Sequence, residues 1–136
     1  ILVLFFYCCN SFASETITTY DRSYGPANCK EPPTTSPESP RIVDYCKCIP
    51  QHYRPGDMVP YRGTVEIEFE VGEDNKLIGA RILKSSGYKA IDVTTLRGQS
   101  LCKFQAASKG GKPVRASFIQ SYTWDEDNST LTMKMK

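Results

Sequence analysis

The chain has 136 residues with 17 basic and 15 acidic side chains, a net charge of +2, 9 prolines, 6 cysteines and a single histidine. That length admits one domain with a tail, the scattered near-neutral charge leaves no electrostatic footprint for nucleic acid or an anionic membrane, and one histidine excludes a site built on two imidazoles. Hydrophobic residues make up 40% of the chain, fewer than a wholly globular chain of this size carries, so some of the sequence lies outside a core.

The chain opens on an apolar run, Ile1-Leu2-Val3-Leu4-Phe5-Phe6-Tyr7-Cys8-Cys9. Ser11 and Ala13 then supply small residues at the spacing a signal peptidase reads. Residues 1–13 read as a truncated signal peptide cleaved near Ala13, the alternative being a partial membrane anchor completed by upstream residues. Both readings export the remainder of the chain. Residues 14–44, rich in proline and turn-formers as in Glu31-Pro32-Pro33-Thr34-Thr35-Ser36-Pro37, read as an extended linker.

Cleavage would leave Cys29, Cys46, Cys48 and Cys102, an even set in an exported chain, which points to disulfides. Adjacent thiols in a Cys-x-Cys pair bridge each other poorly. The expected arrangement joins Cys102 to Cys46 or Cys48, and Cys29 to the other. Cys46, Cys48 and His52 also suit a soft metal, but a fourth ligand would have to be Cys29 or Cys102, and exported thiols oxidise. No metal and no cofactor are expected.

A composition shift near Tyr45 marks a domain over 45–128, with a polar tail at 129–136. Its clearest signal is Gly63-Thr64-Val65-Glu66-Ile67-Glu68-Phe69-Glu70-Val71, where strict alternation predicts a half-buried strand with a glutamate face. Glu73-Asp74-Asn75-Lys76 is turn chemistry, and Leu77 to Lys84 completes a hairpin with Ile78, Ala80 and Ile82 on one side. Ser85-Ser86-Gly87 breaks the strand, with Ser86 as N-cap of a helix over Tyr88–Lys103 that turns Tyr88, Ile91, Thr95 and Cys102 to one face. Gly110-Gly111 marks a loop, and Lys112 to Trp124 alternates again, with Val114, Ala116, Phe118, Tyr122 and Trp124 on one face and Gln120 as the exception. In the tail, Leu131, Met133 and Met135 alternate with polar residues, consistent with a short extra strand or an unstructured end. Strand, strand, helix, strand is an α+β order: a small antiparallel sheet with one helix packed on one face.

Read in order, Gly63-Thr64-Val65, Asp74-Asn75, Ser85-Ser86-Gly87, Ile91-Asp92, Phe104-Gln105-Ala106-Ala107, Gly111-Lys112-Pro113-Val114 and Tyr122-Thr123-Trp124 resemble the C-terminal domain of the TonB energy-transducer family. TolA's C-terminal domain is a more distant likeness. Asn75 stands where the family favours Gly, and Ala106 where Pro is usual. The resemblance implies a TonB C-terminal-like fold in the periplasm or cell envelope, where inner-membrane anchoring is the alternative to a cleaved leader. It implies recognition by strand addition, in which an extended segment of an outer-membrane receptor joins an open sheet edge, and possible coupling to transport.

The candidate edge is the last strand, whose outward face carries Arg115, Ser117, Ile119, Ser121 and Thr123. The competing expectation is an edge covered by the tail, by the Cys46–Pro60 segment or by a second copy in a homodimer. No serine-nucleophile, paired-histidine or glycine-rich phosphate motif is present, so the chain is not expected to be an enzyme. The alternative function is an exported, disulfide-stabilised envelope adaptor that transduces no energy.

Overall fold

Val65, Ile67, Phe69 and Val71 are wholly shielded from solvent, and the strand that carries them organises the rest of the molecule. The computed structural model describes residues 17–21, 36, 38–44, 47–48, 62–125 and 130–136. In chain order the elements are β1 (Ile17–Asp21), β2 (Arg41–Val43), β3 (Arg62–Val71), β4 (Leu77–Lys84), α1 (Lys89–Ser100), β5 (Lys103–Gln105), β6 (Ala107–Lys109), β7 (Lys112–Val114), β8 (Ala116–Asp125) and β9 (Thr130–Met135). Five of them form an antiparallel sheet in the order β1-β9-β8-β3-β4, while β2 pairs with β5 and β6 with β7.

One sheet face is the core. Alternation turns Phe118, Tyr122 and Trp124 of β8 and Met133 of β9 to the same side as the apolar set of β3, and Ile91 of α1 packs onto them. Phe69, Phe104 and Phe118 form a tilted aromatic trio with centroids 5.4–6.4 Å apart. Burying a side chain such as Phe69 contributes about 2–3 kcal/mol. The opposite face is polar. There Glu66, Glu68 and Glu70 of β3 bridge to Lys136, Arg81 and Arg115, and Thr64 meets Thr123 at 2.9 Å between hydroxyls. This is the α+β architecture expected of the sequence.

The β3–β4 hairpin departs from simple alternation. Register shifts between Glu66 and Ile67 and between Glu70 and Val71 insert one extra residue each on β4, at Leu83 and Ile78. Leu77, Ala80 and Ile82 therefore pack against the core, while Ile78 is 49% exposed instead of facing inward with Ala80 and Ile82. In the connecting turn Asn75 adopts φ 65°, and its Oδ1 accepts the Ala106 N–H at 2.8 Å. A glycine would make the same turn without tying it to Ala106.

The strand break and helix start form one unit around Asp92. Its carboxylate accepts the Ser85 hydroxyl at 2.5 Å, the Ser86 hydroxyl at 2.6 Å and the Ser86 N–H at 2.9 Å. Ser86 is thus a brace for Asp92 rather than the N-cap, which is Tyr88. Burial pushes the Asp92 carboxyl up, yet these three hydrogen bonds outweigh it and hold the group below the ordinary aspartate range. Gly63 completes the unit: a Cβ there would stand 2.8 Å from the Ser86 carbonyl oxygen, so the two backbones approach only because residue 63 has no side chain. The helix ends at Ser100, before the expected Lys103, and its buried face is Ile91, Asp92, Thr95 and Gln99.

Some of the segment expected to be linker is built into sheets. β1 and β2 both lie between residues 14 and 44, and Ser108 N–H donates to Glu38 O at 3.0 Å. The tail is β9.

Candidate functional site

An interaction by strand addition depends on which main-chain groups face outward at a sheet edge, so β8 is the place to begin. Of the residues expected on its outward face, Arg115 precedes the strand and bridges to Glu70, Ser117 is exposed, Ile119 is half-buried, and Thr123 pairs with Thr64. Ser121 is buried, its hydroxyl donating to Lys134 O at 3.3 Å.

The strand is not, however, an edge. β3 lies along one side from Ala116 to Asp125, and β9 along the other from Gln120 to Asp125. Apolar–polar alternation reports which face of a strand is buried; it carries no information about how many strands its main chain bonds to. Among the described residues, the covering found is the tail, one of the alternatives expected.

The pairing has a definite end. Lys136 N–H donates to Ile119 O at 2.9 Å, so the odd-numbered residues of β8 turn their main-chain groups towards β9. Ser117 is next in that series, and among the described residues no strand lies opposite it on the β9 side. Arg115, Ser117, Ile119, Ser121 and Thr123 thus share the parity that bonds to an added strand. β9 already behaves as such a strand, with Met133 opposite Tyr122 and 1% exposed.

A second cluster ties the helix to β8. Cys48 and Cys102 form a disulfide with Cα atoms 5.5 Å apart, one of the two pairings expected for Cys102. Beside it Gln99 Nε2 donates to Cys48 O at 2.9 Å, and Gln99 Oε1 accepts the Tyr122 hydroxyl at 2.8 Å. Helix, central strand and the Cys48 segment are therefore held at one point by a covalent bond and a buried polar bridge. Sequence reading missed Gln99, whose only signal was a polar residue at helical spacing from Ile91 and Thr95. Cys29, Cys46 and His52 lie outside the described residues, as do the leader and most of the linker. Among the described residues no group of three or more His, Cys, Asp or Glu side chains is placed to hold a metal ion, and no helix is long and apolar enough to cross a membrane.

No curated protein and no solved structure matches the chain. Residues 59–125 match the family described as the Gram-negative bacterial TonB protein C-terminal. That span begins just before β3 and ends with β8, and it contains Gly63, the Ser85–Ser86–Asp92 unit and the Asn75 turn, whose contacts join successive pieces of the pattern. Residues 59–125 are thus TonB C-terminal-like, and β1 and β9 lie outside the matched span, one on either side of it.

Proposed function

We propose that this is an envelope protein-binding domain that takes an extended segment of a partner by strand addition along the side of β8 that β9 only partly covers, in the manner of a TonB-like interaction in transport. The family membership supports a protein-interaction role in the periplasm and not catalysis. The observation that carries the reading is β9 itself. A six-residue segment with alternating Leu131, Met133 and Met135 pairs along β8 from Gln120 to Asp125, so this side of β8 accepts a strand. The partner strand either continues the ladder past Ile119 towards Ser117 or replaces β9. An outer-membrane receptor segment is the partner class this favours.

Titrating the isotopically labelled chain with receptor-derived extended segments tests it by amide NMR. Shifts at Ser117, Ile119, Ser121 and the β9 amides are expected. A panel that moves none of them removes the reading. In the second reading the domain is a structural adaptor whose edge is permanently filled by its own strands, favoured by the complete burial of Met133. Amide exchange separates the two: β9 protected as strongly as β3 supports the adaptor.

A further inference from the structure

The Cys48–Cys102 bond is a tie onto the domain rather than a part of its core. The family match at residues 59–125 takes in Cys102 and leaves out Cys48, so the bond fastens the matched span to a segment that precedes it. Both cysteines are half-buried, and the fully buried cluster of the core is built without them. Cys102 also lines a groove of about 400 Å³ beside Leu77 and Phe104, which gives a small solute a way to its side of the bond.

The surroundings of Cys102 decide which sulfur departs when the bond is attacked. The residue lies just beyond α1, which ends at Ser100, and its Sγ is 3.6 Å from Cys48 O, 3.7 Å from Gln99 Oε1 and 3.9 Å from Gly98 O. Carbonyl oxygens and the negative end of a helix dipole disfavour a thiolate there, yet the same oxygens accept a thiol S–H. An incoming thiolate therefore bonds to Cys102 Sγ and Cys48 leaves, because the sulfur that bears charge more readily is the better leaving group.

Gln99, 1% exposed, carries the effect to the sheet. Its Nε2 donates to Cys48 O and its Oε1 accepts the Tyr122 hydroxyl. With the covalent tie gone, the segment at Cys48 can leave and strip Gln99 Nε2 of its acceptor in a place water does not reach. The new Cys102 S–H also competes with the Tyr122 hydroxyl for Gln99 Oε1. Tyr122 stands opposite Met133 of β9.

We propose that Cys48–Cys102 is a redox latch on the β8–β9 pairing, opened by a dithiol that enters through the groove. The dithiol's first thiolate bonds to Cys102 Sγ as the Cys48–Cys102 bond breaks, and Cys48 leaves with the electron pair and takes a proton from water. The dithiol's second thiolate then attacks its own first sulfur, Cys102 leaves with the pair and is protonated, and the dithiol departs as an internal disulfide. Two electrons and, by way of water, two protons pass from the dithiol to the protein, which gains two cysteine thiols. The latch belongs to the free chain and is independent of what β8 binds.

The test compares the oxidised full chain with the same chain in dithiothreitol, without denaturant. Alkylation followed by mass mapping should find Cys48 and Cys102 protected before reduction and labelled after it, with the amide spectrum still dispersed. Exchange of the β9 amides should rise about tenfold, the equivalent of one hydrogen bond, while β3 stays protected. In Tyr122→Phe the hydroxyl that Gln99 accepts is gone, so β9 exchange should start higher and reduction should add less than about twofold. Cys48→Ser/Cys102→Ser should match the reduced chain and ignore dithiothreitol, which separates this bond from any other cysteine pair. A bond that yields only in urea, a spectrum that collapses on reduction, or β9 exchange unmoved by it overturns the latch. An equal rise in wild type and Tyr122→Phe, or a persistent response in the double serine variant, overturns it too.

Discussion

The two sides of the five-stranded sheet end differently. On the β4 side two bulges interrupt the ladder within eight residues and turn Ile78 and Leu83 to solvent. On the other side β8 pairs with β9 over six consecutive residues and β9 with β1 over five, all without a register shift. A bulge breaks the regular spacing that an incoming strand needs, whereas an unbroken ladder presents the next bonding position in step. One side is therefore blunted against pairing, and the other has already taken two strands. The difference bears on the proposed interaction: the regular ladder on the β9 side keeps the spacing that strand addition needs, whereas the bulges on the β4 side disfavour it.

The strongest way to break that comparison is to detach β9 alone. Met133→Asp places a charge at a fully buried position opposite Tyr122 and should cost about 3 kcal/mol locally, or roughly a hundredfold in amide exchange. Exchange should rise in β9 and β1 while β3 and β4 stay protected. A uniform rise across all five strands would show that the sheet opens as one unit and that its two sides are not independent.

The next change loosens the opposite side. Asp92→Asn removes a carboxylate that accepts three hydrogen bonds between the end of β4 and α1, with an expected cost of about 2 kcal/mol. Because the folded pKa of Asp92 lies below its unfolded value, the wild-type contribution is complete above the ordinary aspartate range. It declines as acid protonates the unfolded chain first, and it is gone once the pH passes below the folded pKa. Urea unfolding between about pH 2 and 6 should show a weaker acid dependence in the variant, and identical profiles would discount the carboxylate. The smallest effect has the other sign. Gly98 sits in α1, and a methyl group added there would meet nothing within 4 Å, so Gly98→Ala should stabilise the domain by about 0.5–1 kcal/mol, read as a raised Tm.

Much of this fold is legible in the sequence, and the limits have physical causes. The alternation of Val65, Ile67, Phe69 and Val71 specifies a half-buried strand because one face meets a core and the other water. The periodicity of Ile91 and Thr95 specifies a helix face for the same reason. Neither pattern encodes main-chain neighbours, which is why β8 reads as an edge although β9 covers it. The bulge at Ile78 is hidden because Leu77 and Ile78 are both apolar, so either could face inward until the register with Val71 decides. β2 and β5, three residues each, are too short to show a period. Of the candidate site, the alternation along β8 was readable, whereas the Gln99 bridge was not: Cys48, Gln99 and Tyr122 are far apart in the chain and meet only through the fold.

The Cys48–Cys102 bond has a mechanical consequence. It spans 54 positions and encloses all of β3, β4 and α1, while β1, β2 and β5–β9 lie outside the ring. Tension drawn between the two ends of the chain would pass through the two sulfurs and bypass the enclosed hairpin and helix, keeping roughly 180 Å of contour length out of the load path. The first elements to feel the pull are β1 and β9, where Ile17 faces Lys134, so their hydrogen bonds would break in sequence like a zipper. A stretched molecule of this design surrenders its outer strands at low force, exposes the β8 margin, and keeps the ringed half folded.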